Sequence, residues 1–411
     1  MISINKHIYF YTILFLLLAV FSLNLNYIEG DDARTILYHA LGRNTNLQPP
    51  YSAYHSMFDK MFSLLPTTNE IVLRKLAIGL TFLFTFFKLS LISLIVKLKL
   101  KDFKSSYYLL VIPFLIPDIL FTGLIINPTN ISITFILLAH FLFIKYLKNN
   151  SKKMLILGIL LFGFGVSFRW ITAFYGFVFF AEYITKYNGF KEILKKKEIL
   201  KTISIFVWFP ISFIFFIQLS GFSVFDIISV YKDANKYISN SETSLLTIIA
   251  RGITFISPGL IVFFVIGIIS LVFAKKYKTI VYFFISLFPY FITGIYPSYK
   301  YIITIIVPII IICFYGFNWI NTKYKLIPIV IIFLPWIIGV QLELKSVWGP
   351  GFELKNKNYK IEKVNNFNPD KGTKINKINL GFYSGTALPT PEGPRPIYGY
   401  AYVFFHDWKE F

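Results

Sequence analysis

The sequence predicts an all-α polytopic membrane protein of about eleven transmembrane helices, each needing roughly 20 apolar residues to cross about 30 Å of hydrocarbon. Three observations lead there. The chain is 56% hydrophobic and only 15% charged, whereas soluble proteins carry about a quarter charged residues. The mean hydropathy is +0.64. Long apolar runs alternate with short lysine clusters as far as residue 341.

The opening MISINKHIYFYTILFLLLAVFSLNLN has an apolar part longer than a typical signal-peptide core, and no small-x-small cleavage site follows it, so residues 8–26 read as an uncleaved first span. Further spans are expected at 76–96, 105–126, 131–147, 154–168, 171–185, 202–220, 253–273, 279–295, 301–317 and 326–341. Every second connection is lysine-rich. The clusters are Lys97, Lys99, Lys101 and Lys104; Lys148, Lys152 and Lys153; Lys186, Lys191, Lys195, Lys196, Lys197 and Lys201; Lys275, Lys276 and Lys278; and Lys323 and Lys325. Such loops lie on the cytoplasmic side, which puts the N-terminus inside and the C-terminus outside. The same clustering separates the net charge of +21 from nucleic-acid binding, since the lysines neither cover one face nor line an aromatic groove.

Residues 1–341 thus form a transmembrane domain with two sizeable outer loops, 27–75 and 221–252, followed by an extracytoplasmic segment, 342–411. That segment turns to Lys, Asn, Gly and Pro with short aromatic alternations, and reads as a small α+β or β-leaning cap. The runs 154–168 and 171–185 are short and joined only by Phe168, Arg169 and Trp170, which predicts tilted or half-spanning helices. The single cysteine, Cys313, excludes an intrachain disulfide and reads as a small buried hydrophobe.

The first outer loop, GDDARTILYHALGRNTNLQPPYSAYHSMFD over 30–59, concentrates polar chemistry. Apolar residues at 33, 36, 37, 40 and 41 have the period of an amphipathic helix opening at Asp31 or Asp32 and ending near Gly42. One carboxylate suffices as an N-cap, so an adjacent pair leaves one free to act as general base or metal ligand. His39 follows two turns on, Gln48 opens the rigid turn through Pro49 and Pro50, and a second amphipathic stretch, Tyr51 to Leu65, sets His55 and Asp59 four apart on one face. Such a pair either ligates a metal or makes an ordinary surface contact.

Elsewhere, Asp118 directly follows Pro117 within a span or near its outer end, Glu182 falls near a cytoplasmic boundary, where it reads as interfacial, and His140 reads as a packed, hydrogen-bonded histidine. There is no G-x-x-x-x-G-K-[ST] loop, G-x-S-x-G elbow, H-E-x-x-H or C-x-x-C. The glycines of GILLFGFG read as helix-packing positions.

A first span, then Asp31, Asp32, Ala33, Arg34 and Thr35, then Gln48, Pro49 and Pro50, resembles the GT-C superfamily of membrane glycosyltransferases. The likeness is to the protein O-mannosyltransferase and aminoarabinose-transferase type, with D-E-A-R-Y followed by K-P-P. Gln48 stands at the Lys of the second motif. Tyr296, Pro297, Ser298, Tyr299, Lys300 and Tyr301 are similar to the family's P-x-x-R-Y, with Lys300 at the Arg.

The resemblance implies inverting transfer of a sugar from a polyprenyl-phosphate donor to a lipid, glycan or protein acceptor at the extracytoplasmic face of a plasma membrane. It makes Asp31 the base and Asp32 a helper, cap or divalent-metal ligand, with no other cofactor implied. It places Lys300, beside Tyr301, at the leaving phosphate; Arg169, at the outer end of a predicted span, is the next cation, and His39, Gln48, His55 and Asp59 of the first loop are supporting contacts. A purely structural account of Arg169 is an interfacial anchor beside Trp170. The competing functions are a polysaccharide polymerase or ligase, and a transporter or flippase of a lipid-linked sugar, which calls for charged residues at the bilayer midplane.

Overall fold

The computed structural model describes residues 56–64, 70–100, 128–186, 192, 195–229, 258–293 and 302–320, and every regular element among them is helical. In chain order these are α1 (Ser56–Ser63), α2 (Glu70–Lys99), α3 (Pro128–Asn149), α4 (Lys152–Phe168), a 3₁₀ turn (Trp170–Tyr175), α5 (Gly176–Thr185), α6 (Lys196–Phe206), α7 (Trp208–Leu219), α8 (Pro258–Phe273), α9 (Tyr277–Thr293), a second 3₁₀ turn (Ile302–Ile305) and α10 (Ile306–Ile320). Among the described residues four stretches are long and apolar enough to cross a membrane: Gly79–Lys99, Pro128–Asn149, Lys197–Leu219 and Ile303–Ile320. Trp170–Thr185, Leu260–Phe273 and Tyr277–Ile292 are shorter apolar helices. The expected spans 8–26, 105–126 and 326–341, Asp118 and the segment 342–411 lie outside the described residues.

Local sequence sets the boundaries. Pro128 and Pro258 occupy the first helical position of α3 and α8, where a missing N–H costs nothing. Asn150, at φ 54°, and Lys275, at φ 53°, end α3 and α8 in the left-handed region, so the chain doubles back within two or three residues. Lys276 N–H donates to the Leu271 carbonyl at 2.9 Å, closing the last turn of α8. Both reversals are lysine-rich, and contacts among their helices draw them toward one end: Phe143 of α3 meets Phe206 of α6 with ring centres 6.2 Å apart. Lys99 of α2 meets Glu182 of α5 and lies 4.6 Å from the ring centre of Tyr282 in α9. Tyr183 of α5 meets Phe206 of α6 with ring centres 5.8 Å apart.

The core is apolar and aromatic. Phe143, Phe162, Phe179 and Phe209 are buried and meet mostly edge to face, tying α3, α4, α5 and α7 together. Outward-facing Val262, Val265, Phe284 and Phe288 on α8 and α9, and Ile211 and Phe215 on α7, form the apolar exterior expected of lipid-facing helices.

Helices approach most closely at glycines, as expected for GILLFGFG. A Cβ on Gly163 of α4 would run into Ser212 of α7, and one on Gly165 would come within 2.9 Å of the Ser132 carbonyl in α3. The tightest crossing is α8 with α10, where a Cβ on Gly316 would overlap the Phe263 carbonyl and one on Gly267 the Ile312 carbonyl. Gly79 in α2 has no neighbour within 4 Å of that position. Gly79→Ala is therefore expected to gain about 0.5–1 kcal/mol from helix propensity. Gly316→Ala should reverse the sign and lose about 1–3 kcal/mol by forcing α8 and α10 apart. Thermal unfolding of the two variants in one detergent checks this, and a stabilised Gly316→Ala would refute the close crossing.

Candidate functional site

At the end opposite the lysines, polar groups converge where α4 gives way to the 3₁₀ turn. The break is a single residue: Arg169 is extended at φ −157° and ψ 105°. Its N–H donates to the Val166 carbonyl at 3.0 Å, and its own carbonyl accepts the Thr172 N–H at 3.1 Å and the Thr172 hydroxyl at 2.5 Å. The Thr172 hydroxyl also pairs with that of Ser132 at 2.7 Å, and Ser132 donates to the Gly165 carbonyl at 2.7 Å. These bonds satisfy backbone groups that the break removes from the helical ladder, which is how irregular backbone is tolerated inside an apolar bundle.

The first turn of α3 lies beside this break and is itself polar. Asn130 donates to the Thr81 carbonyl at 2.8 Å and the Thr85 hydroxyl at 3.0 Å, fastening α3 to α2. Thr304, in the second 3₁₀ turn, bonds to Tyr290 of α9. Lys60 of α1 donates to the Leu219 carbonyl at 2.5 Å, so a cation caps the C-terminal end of α7. Phe58 of α1 is buried, with α1 resting on α4 and α7. Beyond α7, Ser223 and Asp226 form a reciprocal capping pair: Asp226 accepts from the Ser223 N–H and hydroxyl, and the Asp226 N–H donates to the Ser223 hydroxyl. Those two bonds to its charged form hold the Asp226 carboxyl below its usual range.

Of the residues proposed from the sequence for the acidic and phosphate-binding site, Arg169 is the one whose side chain is described. At 7% exposure it is buried in the bundle, which overturns the account of it as an interfacial anchor reaching toward lipid headgroups. Trp170 next to it is half-buried and packs on Ile217 and Ile227. Asp59 lies in α1, as the amphipathic pattern predicts, but its side chain is outside the described set. Asp31, Asp32, His39, Gln48, His55, Lys300 and Tyr301 lie outside the described residues.

A second polar cluster, at the lysine-rich end, was not assembled from the sequence. Glu182 is buried, not interfacial: the Lys99 ammonium lies 2.7 Å from one carboxylate oxygen and 2.6 Å from the other. His140 Nε2 is 3.7 Å from the same carboxylate, and its Nδ1 pairs with the Tyr175 hydroxyl at 2.9 Å. The expectation of a packed, hydrogen-bonded His140 holds. The signal for the cluster was the lone acid of the 171–185 run, but its partners come from α2 and α3, and sequence separation hides that pairing. Lys88 is also completely buried, near the middle of α2. Among the described residues no group of three or more His, Cys, Asp or Glu side chains could hold a metal ion.

Comparisons of the chain with protein-family models, with curated proteins and with solved structures find no match.

Proposed function

We propose that this chain is a polytopic membrane glycosyltransferase with about eleven spans, moving a sugar from a polyprenyl phosphate to a lipid, glycan or protein acceptor at the extracytoplasmic face of a plasma membrane. The reading begins with the acidic pair Asp31 and Asp32 directly after the first span, in the pattern that resembles the GT-C superfamily. The observation that carries it in the bundle is the buried cation Arg169, at a non-helical break beside the first turn of α3 and at the end away from the lysines. A departing lipid phosphate needs such stabilisation, and a helix N-terminus adds to it. The docking of α1 on α4 and α7 puts residues 56–63, which the charge pattern assigns to the first outer loop, at the same end.

The test is chemical. Purified protein in lipid, given a polyprenyl-phosphate sugar labelled in both halves, should release free polyprenyl phosphate as the sugar passes to an acceptor. Recovery of the donor intact with every acceptor class would sink the reading. Arg169→Gln should weaken donor use by about tenfold or more, with Arg169→Lys less affected since the charge is kept while the guanidinium fork is lost. Lys300→Ala should likewise raise the donor KM; unchanged donor affinity would remove its phosphate role.

A second reading, transport of a lipid-linked sugar or small solute, is favoured by one observation: Lys88 and Glu182 are ionisable residues buried within apolar helices, and such residues often mark transport paths. It predicts movement of an uncleaved substrate across a sealed vesicle membrane, which the doubly labelled donor also detects.

A further inference from the structure

Exposed cations and exposed apolar side chains occur side by side at the lysine-rich end. The α3–α4 reversal carries Lys148, Lys152 and Lys153, the α8–α9 reversal carries Lys275, Lys276 and Lys278, and the start of α6 carries Lys195, Lys197 and Lys201; all are exposed. Within a turn or two along the same chain segments, Ile156, Leu200, Ile203, Phe273 and Tyr277 also face outward. Contacts bring the helices that bear these segments together toward one end: Lys99 joins α2 to α5 and α9, Tyr183 joins α5 to α6, Phe143 of α3 meets Phe206 of α6 with ring centres 6.2 Å apart, and the Lys276 ammonium lies 4.9 Å from the ring centre of Tyr315 in α10. Glu192 and Glu198 offset only part of this charge.

From this juxtaposition we infer that the lysine-rich end binds anionic phospholipids, their headgroup phosphates on the three lysine clusters and their acyl chains on the apolar side chains beneath. A free phosphate or an acidic soluble protein would engage the cations alone and would not use the apolar side chains Phe273, Leu200 and Ile203 that stand beside them. A zwitterionic lipid would cover the apolar residues without neutralising the charge. An anionic phospholipid satisfies both, and α6 has the character of a basic amphipathic segment, with Lys197 and Lys201 one turn apart beside Leu200 and Ile203. Each lysine near an anionic surface is worth about a fivefold gain in binding, reduced by salt. The inference stands on the exposed lysines and does not depend on what the opposite end catalyses.

The experiment places the full chain in bilayer discs of equal phosphatidylcholine and phosphatidylglycerol, and measures by native mass spectrometry which lipid stays bound. Phosphatidylglycerol should be retained well above its bulk share, with the excess falling as salt rises and unaffected by added inorganic phosphate. Lys148→Gln, Lys152→Gln and Lys153→Gln combined with Lys275→Gln, Lys276→Gln and Lys278→Gln should abolish most of the excess, while the six corresponding Arg changes keep it. Equal retention of the two lipids, or an excess untouched by the Gln changes, overturns the inference. Should the Gln variant fail to fold, wild-type protein decides: an excess insensitive to salt also overturns it. Displacement by inorganic phosphate would reassign the cations to a free anion.

Discussion

Asp31→Asn is expected to lower sugar transfer by about 10²- to 10⁴-fold, the range that a positioned general base contributes. The substitution separates two roles that the sequence superimposes on this residue. Asn caps a helix N-terminus about as well as Asp, so a residue that only caps is replaced with little loss. It does not accept a proton from an attacking hydroxyl or amine, so a base is lost. The measurement is initial rate at saturating lipid-phosphate sugar, together with the unfolding midpoint. The proposal expects the rate to collapse while the midpoint stays within a degree or two. Asp32→Asn, made in parallel, should cost less if Asp32 helps or caps. If Asp32 instead holds a divalent ion, its loss should match the loss caused by a chelator in the wild type. Transfer near the wild-type rate in both variants would remove the acidic pair from the chemistry and leave the transport reading in front.

How far the sequence carries depends on which physical quantity is asked for. Burial of apolar runs is a local property, and it served well: the expected runs 131–147 and 154–168 lie inside α3 and α4, and the part of the 279–295 run that is described falls in α9, which ends at Thr293. Edges moved where charged residues extend a helix past its apolar part, as at Glu70, which opens α2 before the apolar run, and Lys196, which opens α6. The 202–220 run is interrupted at Val207, between α6 and α7, where Pro210 in the first turn of α7 offers no N–H to the Phe206 carbonyl. The single-residue break at Arg169 was legible because two short runs left no room for a longer link.

What could not be read were the neighbours of a polar side chain. Position along the helix axis put Glu182 near a boundary, but whether it faces lipid, water or protein depends on which helix lies against it. Here that helix is α2, 83 residues away, bringing Lys99. The same reason separates the two accounts of Arg169. Its place at the end of a span fits an anchor, and only its burial in the folded chain distinguishes the two.

The Lys99–Glu182 pair leads to the second large effect, and the two single substitutions should differ. Lys99→Met leaves the Glu182 carboxylate, 8% exposed, with only the buried His140 Nε2, 3.7 Å away, in ion-pair range among the described residues. A buried charge robbed of its partner destabilises by about 3–5 kcal/mol, and a protonated His140 would bring the loss toward the lower figure. Glu182→Leu strands the ammonium instead. The Lys99 side chain is 24% exposed and sits at the end of α2, so its flexible stem lets the charge swing into water. That loss should be about 1 kcal/mol, the value of a pair with one solvated member. Combining Lys99→Met with Glu182→Leu removes both charges from an apolar setting and should recover most of the stability lost in Lys99→Met alone. Denaturation midpoints of the four proteins in one detergent form a double-mutant cycle. A double variant whose loss equals the sum of the singles would mean that the two side chains do not meet, and with them the placement of α2 against α5 would fall.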